Sequence, residues 1–425
     1  MTKIGKWLPF AIALAALFPY GTKANTSTAA SCAASDIQAQ VNISNDGDTV
    51  LVPPGAAPAT WSTAIRISKG ITLNGQGCTA TFSGSGQINI SADAAASFFL
   101  TGFTFYGSNG GGVLYALTSN SPPTKTFRIY GNTFDDGSPA TQGVIIAVGG
   151  NGPGLIDHNI FVAHHGADEI IHNQGLQSPS NFGGWSDDVT PGGSNFLFIE
   201  SNTFTYNSTS GYFDGTSAIE NYYGARTVFR YNIVNNMQFD AHGSAPGACS
   251  GNGTENNTRW WEVYNNTFNV NDLNQSNYTA LRGGSGVVFN NLATGSNLVG
   301  GSIEFQEDCS SGNYPINTQV GRGINQSTSN PAYAWGNASA LKISSGSSFI
   351  DIGSSLTGCS HNPCDVVNTP TQPVTLMRCE SAADVATGCP VSYTYTPYVF
   401  PHPLTNGSTQ GPAPPTNLTA TVQGN

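Results

Sequence analysis

A short strand that closes on an asparagine and then an apolar residue recurs along this chain, and the recurrence limits the folds open to it. It reads FRIYGNTF at 127–134, LIDHNIF at 155–161, LFIESNTF at 197–204, VFRYNIV at 228–234, WEVYNNTF at 261–268 and VVFNNLA at 287–293. The asparagines are Asn132, Asn159, Asn202, Asn232, Asn266 and Asn291, at separations of 27, 43, 30, 34 and 25 residues. A unit of this size at uneven spacing describes a solenoid whose coils carry loops of different lengths.

Three residues before each asparagine stands Ile129, Ile156, Ile199, Phe229, Val263 or Val288, and two after it Phe134, Phe161, Phe204, Val234, Phe268 or Ala293. Strands alternate their side chains, so Tyr130, Asp157, Glu200, Arg230 and Tyr264 point the other way. Stacked coil on coil, the apolar positions make continuous interior columns, each site contributing about 1.5–3 kcal/mol. The asparagine amide, turned inward, bonds to the coils above and below. Without such partners a buried amide costs about 1–3 kcal/mol.

This run resembles the asparagine ladder of right-handed parallel β-helices, the pectate-lyase-like superfamily, over about residues 45–400. The resemblance implies an all-β, right-handed parallel β-helix solenoid. The scaffold hosts several chemistries, so it does not fix the activity.

The length of 425 residues exceeds a single globular core but not a structure that grows in one dimension. With 51 Gly, 24 Pro and 9% charged residues, the chain suits a turn-rich β protein rather than a helical enzyme. Residues 1–24 have the form of a secretory signal: Lys3 and Lys6, an apolar run from Trp7 to Phe18, then Thr22-Lys23-Ala24 as a cleavage site. That run is too short to span a bilayer. The expected product is secreted, extracellular or periplasmic, monomeric and without membrane insertion. Fourteen basic against 25 acidic residues give −11, and loss of the leader lysines Lys3, Lys6 and Lys23 takes this to −14. Such a surface disfavours nucleic acid, and an anionic substrate would need a local basic site or a bridging metal.

Eight cysteines suit an oxidising compartment. Proximity suggests Cys359–Cys364 and Cys379–Cys389, Cys32–Cys78 would tie the N-terminal segment to the first coils, and Cys249–Cys309 would join loops; sequence alone does not fix the connectivity. Ser35-Asp-Ile-Gln38 has capping-box form, and Ile37 and Val41 share a face, which predicts a helix near 35–43 covering the open end of the first coil. The β-helix is expected over 32–405, with a disulfide-tied C-terminal cap from about 310 and a disordered Pro/Thr-rich tail at 406–425. Long insertions at 174–193 and 243–258 would wall a binding face, with Phe182 and Trp185 suited to stacking on sugar rings.

A second set of strands precedes the asparagine strands: Ile171-His172, Ile219-Glu220, Phe239-Asp240, Leu281-Arg282 and Ile303-Glu304. With the apolar member inward, the outward row is His172, Glu220, Asp240, Arg282, Glu304. Two residues on, the next row is Gln174, Tyr222, His242, Gly284, Gln306. Coils stack at about 4.8 Å, so Glu220 and Asp240 face each other as close carboxylates and one pKa should rise. In the family resembled, substrate lies along the corresponding sheet, which makes this face the candidate site. The row also reads as a surface charge ladder, and Glu200 beside Arg230 reads as structural. His158, His164 and His165 fall at coil turns, and no histidine shows metal-ligand spacing.

Three functions fit. A polysaccharide lyase acting on a uronic-acid polymer by β-elimination would use Arg282 as cation, His242 as base and Tyr222 as acid. His172, Glu220, Asp240, Glu304 and Trp185 would bind substrate, and Glu220 and Asp240 could hold a bridging Ca²⁺. A glycoside hydrolase would use Glu220 and Asp240 as its carboxylate pair, though Ala241-His242-Gly243 only partly echoes the hydrolase motifs of this scaffold. An adhesin-like, non-catalytic wall-binding solenoid suits the low charge and aromatic loops.

Overall fold

The computed structural model describes residues 24–91, 97–107, 113–116, 126–137, 145–149, 153–164, 169–175, 187–207, 216–242, 258–270, 278–295, 303–305, 320–321, 328–339, 350–352 and 366–406. Residues 1–23 of the expected leader, Cys249, Cys309, Cys359, Cys364, Phe182, Trp185 and residues 407–425 of the tail lie outside the described residues.

Each full coil contributes three short strands. In one they are Ser217–Tyr222, Arg226–Arg230 and Ile233–Asn235. Strands equivalent to the first form a ten-stranded sheet from Ile65–Ile67 to Ile350–Ile352 (the site face), and the other two kinds share a 20-stranded sheet that bends at the ladder asparagines. Every strand in both sheets pairs in parallel with its equivalents one coil away, as Ile199 with Phe229 and Phe229 with Val263. The chain is a parallel β-helix. Repetition of this kind leaves only the two end coils with unpaired edges.

The ladder forms as the sequence predicts. The backbone N–H of Asn159 donates to the Asn202 side-chain oxygen at 2.9 Å, Asn202 to Asn232 at 2.9 Å and Asn232 to Asn266 at 2.9 Å. Asn337, which the sequence reading does not include, accepts in the same way from Asn291 at 3.1 Å and adds one coil. The residue before each ladder asparagine is left-handed: His158, Ser201, Tyr231, Asn265 and Asn290 have φ between 52° and 58°. A non-glycine residue there costs about 1–2 kcal/mol, and the paired amides offset it. Inside, the Phe134, Phe161 and Phe204 rings stack at 5.1 and 4.7 Å, and Ile129, Ile156, Ile199 and Phe229 are fully buried.

The predicted helix spans Ala34–Ile43 and buries Ala34, Ile37 and Val41 against the first coil. Its expected capping box does not form. Ala33 is the N-cap without a side-chain bond, and the Ser31 hydroxyl instead accepts from the Ala33 amide at 3.0 Å and donates to Asp36 at 2.6 Å. The Cys32–Cys78 and Cys379–Cys389 disulfides are present.

The described part of the C-terminal segment packs against the outside of earlier coils. After the Cys379–Cys389 loop it runs back over the outside of the asparagine strands towards earlier coils. Tyr395 donates to Glu262 at 2.7 Å, Arg230 donates to the carbonyls of Tyr398 and Val399 at 2.6 and 2.9 Å, and the His402 amide donates to Glu200 at 2.9 Å. Arg128 reaches the Leu404 carbonyl at 3.3 Å. This strap buries a polar row that alternation directs to solvent. Arg230 and Glu200, read as structural, form an ion pair with both side chains 0% exposed.

Candidate active site

The site face carries the predicted outward row, with one change of register. His172 pairs with Glu220, Glu220 with Asp240, Asp240 with Ala280 and Ala280 with Glu304. Arg282 is therefore not in that row. Leu281 pairs with Ala241, which carries Arg282 two residues further along, beside His242. Thr279, not Leu281, is level with Phe239. A slip of two keeps the side chain on its face, so Arg282 still points outward, now continuing the row of Tyr222 and His242. The side chains of Glu304 and Gln306, and all of Trp185, lie outside the described residues.

Arg282 reaches back across its coil to Asp240, donating through Nε at 3.1 Å and Nη2 at 2.6 Å. This two-point contact fixes the guanidinium plane. Asp240 is 1% exposed, Glu220 8% and His242 9%. The row is thus mostly buried rather than a solvated ladder, and each charge on it must be compensated.

Beside the carboxylates three rings stack. The Tyr222 ring lies 4.8 Å from that of His172 and 4.5 Å from that of His242. The Tyr222 hydroxyl is within hydrogen-bond reach of Glu169 at 2.8 Å and of Glu220, and His172 Nδ1 contacts Glu169. Glu169 is not in either outward row that alternation predicts. A β-bulge between Ser217 and Ile219 adds a residue and reverses the alternation at Ser217, and Glu169 is in register with Ser217. Strict period-two counting from Ile171 would turn Glu169 inward.

The backbone under these groups is held from inside. The Asn221 amide donates to the Asp240 carbonyl at 2.8 Å, and Asn173 donates to Asn221 and Thr227 at 3.2 and 2.9 Å. Thr258, the first described residue after the 243–257 insertion, donates from its hydroxyl to the carbonyls of Asn221 and His242 at 2.6 and 2.9 Å. Thr258 is thereby tied to the backbone of Asn221 and His242.

The electrostatics separate the two glutamates. Burial, then the charges of Asp240 and Glu169, push Glu220 up to about 10. At Glu169 burial also acts upward, but hydrogen bonds with His172, Glu220 and Tyr222 outweigh it and hold the group down at about 2. Burial and the two carboxyls raise Tyr222 well above the usual phenol range. These directions favour one proton on the Glu220–Glu169 pair, on the Glu220 side, and a protonated Tyr222.

Glu220 and Asp240 are poorly disposed to bind Ca²⁺ in this arrangement. Both Asp240 oxygens accept from Arg282, so a cation there would have to displace the guanidinium. Among the described residues, the group whose ligand atoms lie within 4.8 Å of one another is Asp135, Asp136 and His164. Coil stacking assembles it, with His164 Nε2 3.1 Å from Asp135, although linear spacing gives no hint of it. His158 also lies at a turn, but its ring is paired with buried Asp157 at 2.7 Å rather than free on the surface.

No protein-family model matches the chain, and no curated protein matches it in sequence. Among solved structures it is similar to an alginate lyase from Paenibacillus sp. str. FPU-7, at a TM-score of 0.37 and 13% identity over 77% of this chain and 99% of that one. At that distance the likeness says nothing of the chemistry, which rests on the geometry above.

Proposed function

We propose that this face is the active site of an exported polysaccharide lyase that cleaves a uronic-acid-containing polymer by β-elimination. The observation that carries the reading is the second outward row, where a protonated phenol, an imidazole and a fixed guanidinium follow one another as Tyr222, His242 and Arg282. β-Elimination needs a cation to stabilise charge on the uronate carboxylate, a base for the α proton and an acid for the departing oxygen. Arg282, oriented by Asp240, takes the first role, the His242 imidazole the second and Tyr222 the third. His172 would contact the sugar beside Tyr222.

The test is ultraviolet absorbance of unsaturated products on a panel of uronide polymers, with and without chelator. The expected result is absorbance from one polymer, unchanged by chelator and lowered by about two to four orders of magnitude in His242→Ala.

One observation favours a second reading, a glycoside hydrolase: Glu220 and Glu169 both reach the Tyr222 hydroxyl, as a close carboxyl pair whose surroundings push one pKa up and the other down. Asp240, committed to Arg282, would not be the partner carboxylate. A hydrolase would release reducing ends without absorbance. Binding of a polymer without any cleavage would point instead to the adhesin-like reading.

A further inference from the structure

We infer that Glu169 and Glu220 hold a shared proton that serves as the reservoir for Tyr222. A phenol has one proton to donate, yet the Tyr222 hydroxyl lies within hydrogen-bond reach of both Glu169 and Glu220. If it donates to one carboxylate, the other contact is attractive only when that carboxyl carries a proton of its own. His172 Nδ1 meets Glu169 Oε2 and not Oε1, the oxygen that faces Tyr222, and the other described neighbours make only long contacts. The Ser217 hydroxyl is 3.4 Å from Glu220 and the Gln238 amide is 3.4 Å from Asp240, both long contacts.

The charges facing the pair come from three coils. His172 stands beside Glu169 on the preceding coil. Asp240 and His242 lie on the following coil, and Arg282 on the one beyond is drawn onto Asp240. Arg282 thus neutralises Asp240 and not the Glu169–Glu220 pair, which relieves its own repulsion by sharing one proton. The elevated position of Glu220 and the depressed one of Glu169 agree with that count.

The chemistry rests on the lyase reading, while the proton count does not. During elimination Tyr222 passes its proton to the glycosidic oxygen as the bond from that oxygen to the sugar carbon breaks. Glu220 then returns a proton to the Tyr222 phenolate. Glu220 is recharged from solvent through Glu169 and His172, whose side chains are 24% and 25% exposed and so reach water where Glu220 does not. The proton that His242 takes from the α carbon is released to solvent, so one turnover consumes no net proton.

Infrared difference spectroscopy of the full chain across pH tests the reservoir directly. The wild type should show a carboxylic acid C=O band near neutral pH that Glu220→Gln abolishes, with kcat falling about a hundredfold and KM nearly constant. Glu169→Gln should move both the titration of that band and the alkaline limb of the pH–rate profile down by about one unit or more, because one of the charges holding the proton is gone. If Glu220→Gln does not fold, the Glu169→Gln band shift decides alone. A neutral-pH band that survives Glu220→Gln, or a Glu169→Gln profile identical to wild type in an active enzyme, would overturn the inference. A wild type that forms no unsaturated product yet shows the Glu220 band would sink the lyase reading and leave the shared proton standing.

Discussion

Asp240 changes what a substitution at Arg282 would mean. An exposed arginine could be removed with little effect on melting, but Arg282 is the partner of a carboxylate that is 1% exposed. Arg282→Ala should therefore cost about 3–5 kcal/mol, because it strands a buried charge. Adding Asp240→Asn should recover most of that loss in thermal melts, while turnover stays about two to four orders of magnitude below wild type. Recovery of both stability and activity would assign the pair to the fold alone. Glu169 shows the limit of counting residues at this scale. Its type was visible in the sequence, but the bulge at Ser217 that turns it outward was not.

At the scale of the element, the asparagine turn is the repeating unit of stability. Asn202 donates to the Ile156 carbonyl at 2.9 Å and accepts from the Asn159 amide at 2.9 Å, with 1% of its surface exposed. Asn202→Ala leaves both backbone groups buried without partners, at about 1–3 kcal/mol each. Urea unfolding should show a midpoint lowered accordingly at an unchanged slope. The equivalent substitution at Asn337, which lies at the end of the described ladder and is only partly buried, should cost less. The helix at the other end makes a related point. Its apolar face, Ile37 and Val41, was legible because spacing alone decides it. Its cap was not, since Ser31 satisfies the helix entrance from outside the expected box.

Across the whole molecule, the strap joins the C-terminal segment to coils made far earlier in the chain, and His402 is its most pH-sensitive contact. Burial first, then Arg230 and Arg128, lower His402 from the usual 6.5 to about 4, with Asp157 opposing. A base whose folded pKa is depressed binds protons more readily when unfolded. Its contribution to stability is therefore complete above about pH 6.5 and is lost as pH falls towards 4. Thermal melts between pH 4 and 7 should show this loss. His402→Asn, which keeps a side-chain acceptor for the Leu404 amide that His402 Nδ1 now accepts at 3.1 Å, should flatten the profile. An unchanged acid slope in that variant would place the sensitivity in other groups.

What the sequence determined by itself is what repeats locally: the coil, the ladder asparagines, the interior columns, the helix over the first coil and the shared side of His172, Glu220, Tyr222, Asp240, His242 and Arg282. Each follows from period-two alternation and stacking at about 4.8 Å, which neighbouring residues are enough to specify. Only the tertiary structure decided the rest. Arg282 moved two positions along its strand because the loop before it hides the register, although parity survived the slip. Asp135, Asp136 and His164 came together because stacking joins residues a full coil apart. The row from Asp157 to Tyr264 became a buried polar network because residues 395–404 return to cover it, and no local periodicity encodes a contact such as Arg230 with Val399.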